Sequence, residues 1–364
     1  MTQVSFLIKP ASSLCNLRCK YCFYSDVSHN RSESSMGIMK KEVMEKLIEQ
    51  SLTLPVDTVQ YCFQGGEPTC AGIDYFKAFI NYVNTKNTRG KQIQYAIQTN
   101  GTLINEEWIQ LLKENHFLVG ISIDGFVKNH DYFRKDAQGK GTLKTILFNL
   151  RRLRNAGIDF NILTVLTKEL SKKPKELYSF YKENNFDFVQ IIPCLPSLQR
   201  NEASDCFALS PKEFCSFYKQ FFDLWYEDYM HGKYMSVTLF DNLIPMYKGI
   251  APQQCGMLGK CHMQIVVEGN GNVYPCDFYV LDQYFCGNLL TDSLQEMIQG
   301  TVAKKFIQEK RRTCTQCSTC AFVNMCHGNC KRLSDCYYTE EYCGYKEFLE
   351  YSKEKMMWIA RGIH

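Results

Sequence analysis

The 364-residue sequence predicts an α/β fold, an open partial (β/α)6 barrel followed by a cysteine-rich domain. Two patterns predict it. Six strand-like segments, each followed by a helix-like stretch, fill the first part of the chain, and such alternation implies a parallel sheet with helical crossovers. The 19 cysteines are unevenly placed, 8 in residues 1–254 and 11 between 255 and 343, which separates a cysteine-moderate body from a cysteine-dense tail. The expected division is a barrel over 1–234, a linking segment over 235–254 and the cysteine-rich domain over 255–364. The rest of the composition is ordinary for a globular chain: 45% hydrophobic, 22% charged and a formal net charge of +4, with the signs mixed. That balance is too weak to argue for nucleic acid or an anionic membrane as partner.

The strand candidates are 4–9, 58–63, 92–98, 117–123, 159–166 and 187–192, most of them near-continuous apolar runs of the kind buried on both faces. Between them, 40–52 places Val43, Leu47 and Ile48 on one helical face, Asn105 caps a helix opening Glu106-Glu107-Trp108, and 142–155 is stopped by Gly157. Six such units are two short of a closed eight-fold barrel, so chemistry is expected at the C-terminal ends of the strands of an open one; periodicity alone also allows a doubly wound sheet. Ser210 and Pro211 then start a helix running to about 231. The tail offers a hairpin, 264–268 with 273–280 around Gly269-Asn270-Gly271-Asn272, a short helix near 293–308, an irregular cysteine-rich stretch and a final amphipathic helix over 345–359.

Disulfides, zinc and iron–sulfur clusters compete to explain the cysteines. Disulfide scaffolds are usually short exported chains. Here the N-terminal residues lack a basic n-region and a long apolar h-region, and no run approaches the ~18 apolar residues of a membrane span, so the expectation is a cytoplasmic protein with reduced thiols and bound metal.

Cys15, Cys19 and Cys22 lie just after the first strand. A CxxxCxxC triple should arise only about 0.05 times by chance at this cysteine frequency. Three thiolates can bind three irons of a [4Fe–4S] cluster and leave the fourth open, the mark of a catalytic rather than a structural centre; zinc, or a structural cluster completed from elsewhere, is the alternative. The run Cys15-Asn16-Leu17-Arg18-Cys19-Lys20-Tyr21-Cys22 resembles the signature of the radical S-adenosylmethionine (SAM) superfamily. The resemblance implies a partial (β/α)6 barrel whose open iron chelates SAM and whose electron cleaves it to a 5′-deoxyadenosyl radical. Gln64-Gly65-Gly66-Glu67-Pro68, ending the second strand, is similar to the superfamily's GGEP motif, which implies that these residues hold the SAM ammonium. On the same resemblance Tyr21, Ser122, Arg134 and Leu195 fall at cofactor-binding positions: Ser122 for the ribose or methionine part, Arg134 for the carboxylate and Leu195 against adenine.

In the tail, Cys317-x2-Cys320-x5-Cys326-x3-Cys330, followed by Cys343, resembles the SPASM pattern of peptide-modifying radical SAM enzymes. That implies two auxiliary [4Fe–4S] clusters, three in all, with Cys255, Cys261, Cys276 and Cys330 on the nearer and Cys317, Cys320, Cys326 and Cys343 on the farther. Four thiolates would suit zinc equally. Cys62, Cys70, Cys194, Cys206 and Cys215 are expected to be small buried hydrophobes, while Cys286, Cys314 and Cys336 stay open, Cys314 because it forms a further CxxC with Cys317. Asp277, directly after Cys276 and flanked by aromatics, is the expected general base.

Across the whole chain the motifs are similar to those of the anaerobic sulfatase-maturating enzymes: the lead-in Ile8-Lys9-Pro10-Ala11-Ser12-Ser13, Tyr21-Cys22-Phe23-Tyr24, and Tyr274-Pro275-Cys276-Asp277-Phe278-Tyr279. The resemblance implies oxidation of a cysteine or serine, within Cys/Ser-x-Pro/Ala-x-Arg of an unfolded or nascent sulfatase, to Cα-formylglycine. It also implies a low-potential donor of flavodoxin or ferredoxin type, and a monomer is expected. Another SPASM peptide maturase, such as a thioether-forming one, and a non-catalytic zinc-stabilised module are the rival readings.

Overall fold

Strands β1 (Gln3–Ile8), β2 (Thr58–Phe63), β3 (Gln92–Thr99) and β4 (Leu118–Ser122) run parallel and side by side in chain order. They belong to the first of two units into which the computed structural model, describing residues 2–200 and 205–362, divides: Met1–Ser122, Arg134–Phe160 and His262–Gln308. On the free edge of β1 the unit adds β8 (Val266–Val267) in parallel, then β9 (Asn272–Tyr274) and β10 (Gly287–Asn288) antiparallel. One sheet face is sealed by helices Lys41–Thr53, Ile73–Lys86 and Glu106–Glu114, which bury Val43, Leu47, Phe76, Phe79 and Trp108 against Phe6, Tyr61, Phe63 and Ile97. Each such side chain taken from water contributes about 1.5–3 kcal/mol.

The other face departs from the expected continuous burial. Exposure alternates along β2 and β3, where Gln60, Cys62, Gln64, Gln94, Ala96 and Gln98 are only half-buried. Period-2 alternation places Lys9, Gln64 and Gln98 on this polar face at the C-terminal ends of neighbouring strands. Glu268 joins the row one residue beyond β8, because Leu7 and Ile8 are in register with Val266 and Val267.

The second unit comprises Ile123–Phe133, Asn161–Cys261 and Glu309–His364, described to residue 362. Here β5 (Phe160–Leu166), β6 (Phe188–Pro193) and β7 (Ser236–Val237) are parallel, and helices Pro174–Glu183, Pro211–Met230, Thr238–Met246 and Gly344–Arg361 pack through Phe217, Tyr218, Phe221, Phe222, Trp225, Phe240 and Phe348. Ser210 and Glu213 form the capping box that starts Pro211–Met230. A Cβ on Gly344 would stand 2.0 Å from the Pro211 carbonyl oxygen, so only glycine lets the last helix begin there. Asn105 caps its helix as expected, accepting from the Trp108 amide.

Two local expectations are corrected. The second hairpin strand is Asn272–Tyr274, not 273–280: Pro275 has no N–H to extend the ladder, and Asp277–Tyr279 coils into a 3₁₀ turn. The helix near 293–308 is two helices, Leu294–Gln299 and Thr301–Gln308, broken at Gly300. A short helix, Phe23–His29, follows Cys22 directly. Among the described residues, no helix is long and apolar enough to cross a membrane.

Candidate active site and cysteine centres

Cys15, Cys19 and Cys22 leave β1 on one loop, each half-buried. The loop is pinned by the Arg18 amide, which donates to the Lys135 carbonyl at 2.7 Å, and by the Leu17 amide, which donates to Cys15 Sγ at 3.3 Å. Burial pushes the Cys15 thiol up to about 12, and Glu67, Cys19 and Cys22 add to the rise. A thiolate here therefore needs positive charge beside it, which iron supplies; the donor set fits a cluster held by three cysteines.

The Gly-Gly-Glu-Pro segment presses against that loop. Gly66, at φ +51°, has no room for a Cβ, which would sit 2.3 Å from the Leu14 carbonyl oxygen. The Glu67 amide donates to the same oxygen at 2.8 Å. Glu67 is buried, and its Oε1 accepts from the Thr69 amide at 3.1 Å, the Thr69 hydroxyl at 2.7 Å and the Thr99 hydroxyl at 2.6 Å. Its Oε2 accepts from the Asn100 amide at 2.7 Å. Burial raises this carboxyl while those donors oppose the rise. The side chain thus ties the loop to the end of β3 and keeps one acceptor position on Oε2. Asn100, which the motifs did not flag, donates to Asn16 Oδ1 at 2.8 Å and reaches Cys15 Sγ at 3.9 Å.

Of the remaining cofactor candidates, Ser122 ends β4, buried, and accepts from Gln98 Nε2 at 3.2 Å. Arg134 is buried with its guanidinium 5.6 Å from the centre of the Tyr21 ring. These share the first unit with the cysteine loop. Leu195 lies in the second unit, half-buried just past β6.

Asp277 is buried in a polar array. Its Oδ2 accepts from the Tyr24 hydroxyl at 2.7 Å and Gln64 Nε2 at 3.2 Å, and Lys9 Nζ stands 3.1 Å from its Oδ1. Tyr24 sits two residues after Cys22, so the first turn of the helix that follows the cysteine loop delivers a hydrogen bond to this carboxylate. Desolvation of the Tyr24 hydroxyl, with Asp277 beside it, pushes it well above its ordinary value. The Phe23 and Phe278 rings meet edge-on at 5.3 Å and close the array on one side.

Most tail cysteines are grouped within the second unit. Cys317, Cys320, Cys326 and Cys343 line one pocket with Phe322, Val323 and Tyr345. Cys255, Cys261 and Cys330 are near enough that Cys330 and Cys261 raise the Cys255 thiol beyond what burial does, to about 11. Cys276 lies in the first unit. Arg311 was not foreseen: it approaches Cys261 Sγ at 3.9 Å and lowers the Cys326 and Cys330 thiols against the burial that raises them. Among the described residues, no three His, Cys, Asp or Glu side chains converge as a single-ion site. The cysteines left open separate: Cys286 and Cys336 thiols donate to the Tyr284 and Cys194 carbonyls at 3.5 Å, whereas Cys314 is buried near Cys343. Cys194 and Cys215 are buried as expected, Cys62 and Cys70 are half-buried, and Cys206 is exposed rather than buried, on the loop leading to Ser210.

Comparison with known proteins agrees with this geometry. Residues 10–181 match the radical SAM superfamily and residues 255–321 match SPASM, an iron–sulfur cluster-binding domain. A cysteine-type anaerobic sulfatase-maturating enzyme of Clostridium novyi is 39% identical over 100% of this chain and 99% of its own. A serine-type enzyme of Bacteroides thetaiotaomicron is 30% identical over 90% of this chain and 82% of its own. A solved structure described as native anSMEcpe with bound AdoMet superposes with a TM-score of 0.92 at 37% identity, covering 99% of this chain and 100% of that one. Another, with AdoMet and the Cp18Cys peptide, gives 0.91 at 36% identity over the same shares.

Proposed function

The chain belongs to the anaerobic sulfatase-maturating enzymes, radical SAM enzymes carrying a SPASM domain, and we propose that it oxidises a cysteine of a sulfatase polypeptide to Cα-formylglycine. Cysteine is favoured over serine because the cysteine-type relatives are 39% and 38% identical and the serine-type relative 30%. Three [4Fe–4S] clusters are assigned: Cys15, Cys19 and Cys22 hold the SAM-binding one, Cys255, Cys261, Cys276 and Cys330 the nearer auxiliary one, and Cys317, Cys320, Cys326 and Cys343 the farther. When bound, SAM and its cluster supply the radical that removes hydrogen from the substrate Cβ.

This chain's own residues do the rest. The Gly65–Gly66 backbone and Glu67 receive the SAM ammonium, Arg134 its carboxylate, and Tyr21, Ser122 and Leu195 the remainder. Asp277 takes the substrate thiol proton, which becomes far more acidic once the adjacent carbon is a radical; the tail cysteines would hold the auxiliary clusters that, when bound, could accept the second electron, and the thioaldehyde hydrolyses. The observation carrying this assignment is the 2.7 Å hydrogen bond to Asp277 from Tyr24, in the helix that directly follows Cys22. A monomer in the cytoplasm, served by a flavodoxin- or ferredoxin-type protein and acting on unfolded sulfatase, completes the proposal. Anaerobic reconstitution followed by SAM, dithionite and a Cys-x-Pro-x-Arg peptide tests it. A peptide mass loss matching aldehyde formation is expected; SAM cleavage with the peptide unmodified removes the substrate assignment.

A further inference from the structure

Lys9 belongs to the lead-in motif after β1 and has no part in the functions assigned so far. It is 2% exposed, and a lysine that deep is rare unless its charge is used. Its stem runs under the Gly65 backbone, where a Cβ would stand 2.6 Å from the Lys9 γ-carbon, so Gly65 leaves the space the lysine fills. Its amide is fixed by donating to the Val267 carbonyl at 2.8 Å. Its Nζ stands 3.1 Å from Asp277 Oδ1, 3.7 Å from Glu268 Oε1 and 4.7 Å from the centre of the Tyr24 ring. Glu268 Oε1 is held in turn at 2.7 Å by Arg31, also buried.

From this arrangement we propose that Lys9 is a positioning residue for the reaction, anchored by the Arg31–Glu268 pair and holding the Asp277 carboxylate in the one orientation from which it takes the substrate thiol proton. This role rests on Asp277 being the base. Tyr24 and Gln64 both bind Oδ2, so they leave rotation about that oxygen open. Lys9 alone addresses Oδ1, which carries no hydrogen bond from any other group among the described residues. The contact falls outside hydrogen-bond geometry, so Oδ1, itself shut off from solvent, is located by charge.

The test is the ratio of 5′-deoxyadenosine to aldehyde formed, in reconstituted enzyme with the Cys-x-Pro-x-Arg peptide. Lys9→Met keeps a stem of similar size and removes the charge. Lys9→Met/Glu268→Gln removes one buried charge of each sign and so keeps the balance. Both variants are expected to retain iron content and SAM cleavage while the ratio rises at least tenfold over the parent. An unchanged ratio in either overturns the proposal. So does a parental ratio in the double variant with a raised ratio in the single one, since Lys9 would then only balance charge. Failure of both to load iron makes Lys9 a fold element and overturns it as well. Asp277→Asn separates the underlying reading: a coupled Asp277→Asn enzyme removes the base, whereas an uncoupled one beside a coupled Lys9→Met removes only the lysine's role.

Discussion

The two units hold cysteines in opposite electrostatic settings. In the first, Cys15 faces a carboxylate, Glu67, and an asparagine, and its loop feeds Tyr24 into an array of four buried charges. In the second, one group of thiols lines a pocket with Phe322, Val323, Tyr345, Leu349, Gln316 and Lys346, and one guanidinium, Arg311, lowers thiols of both groups. On the proposed assignment the difference separates two jobs. A centre that binds and turns over small molecules needs polar groups oriented at its open side, whereas a centre that only passes electrons needs ligands, a low dielectric and some positive charge.

The largest effect tests that division directly. Cys19→Ala should abolish 5′-deoxyadenosine formation, while Cys326→Ala should keep SAM cleavage and lose the aldehyde; loss of SAM cleavage in both, measured by chromatography, would erase the contrast. Asp277→Asn should lower aldehyde formation about 10²-fold or more with SAM cleavage retained, as expected for removal of a general base. Full activity in that variant would take Asp277 out of the mechanism.

Smaller effects sharpen the picture. Gly66→Ala combines a positive φ with a clash against backbone, and should destabilise the fold by about 1–3 kcal/mol in denaturant unfolding while weakening SAM binding. Glu67 and Glu268, both buried in the first unit, should differ in sign with pH. The Glu67 carboxyl is raised, so its stabilising contribution is complete below the ordinary carboxylate value and is lost as pH rises through the raised one. Glu268 is held low by Lys9 and Arg31 despite burial, so its contribution is present above the ordinary value and lost on acidification through the lowered one. Glu268→Gln should therefore flatten the acid limb of the stability profile, and an unchanged limb would contradict the assignment. Smallest, Arg311→Met should lower the midpoint potential of the second-unit centres in an EPR redox titration and leave SAM cleavage untouched.

Much of this was legible beforehand. The six strands emerged within a residue or two because β-branched and aromatic runs have few other options, and Ser210, Pro211 and Asn105 announced their helices because capping is local chemistry. The cysteine triple and the GGEP motif were readable because metal ligation and close backbone approach tolerate few substitutes. Local pattern misled where a partner elsewhere decides. The stretch after Tyr274 reads as a strand, yet Pro275 ends the ladder and the turn carries Asp277 inward. Cys206 reads as a core thiol but lies on an exposed loop.

The residue types required by the chemistry, and their order along the chain, were set by the amino-acid sequence alone: three thiols after β1, two glycines and a glutamate after β2, an aspartate beside a tail cysteine. Only the tertiary structure decided which of them meet. It brought Lys9, Tyr24, Gln64, Glu268 and Asp277 into one polar array and turned Glu67 inward to the end of β3. The reason is physical: a buried charge is stable only beside its counter-charge, and strand register, which no single segment encodes, determines which charges become neighbours.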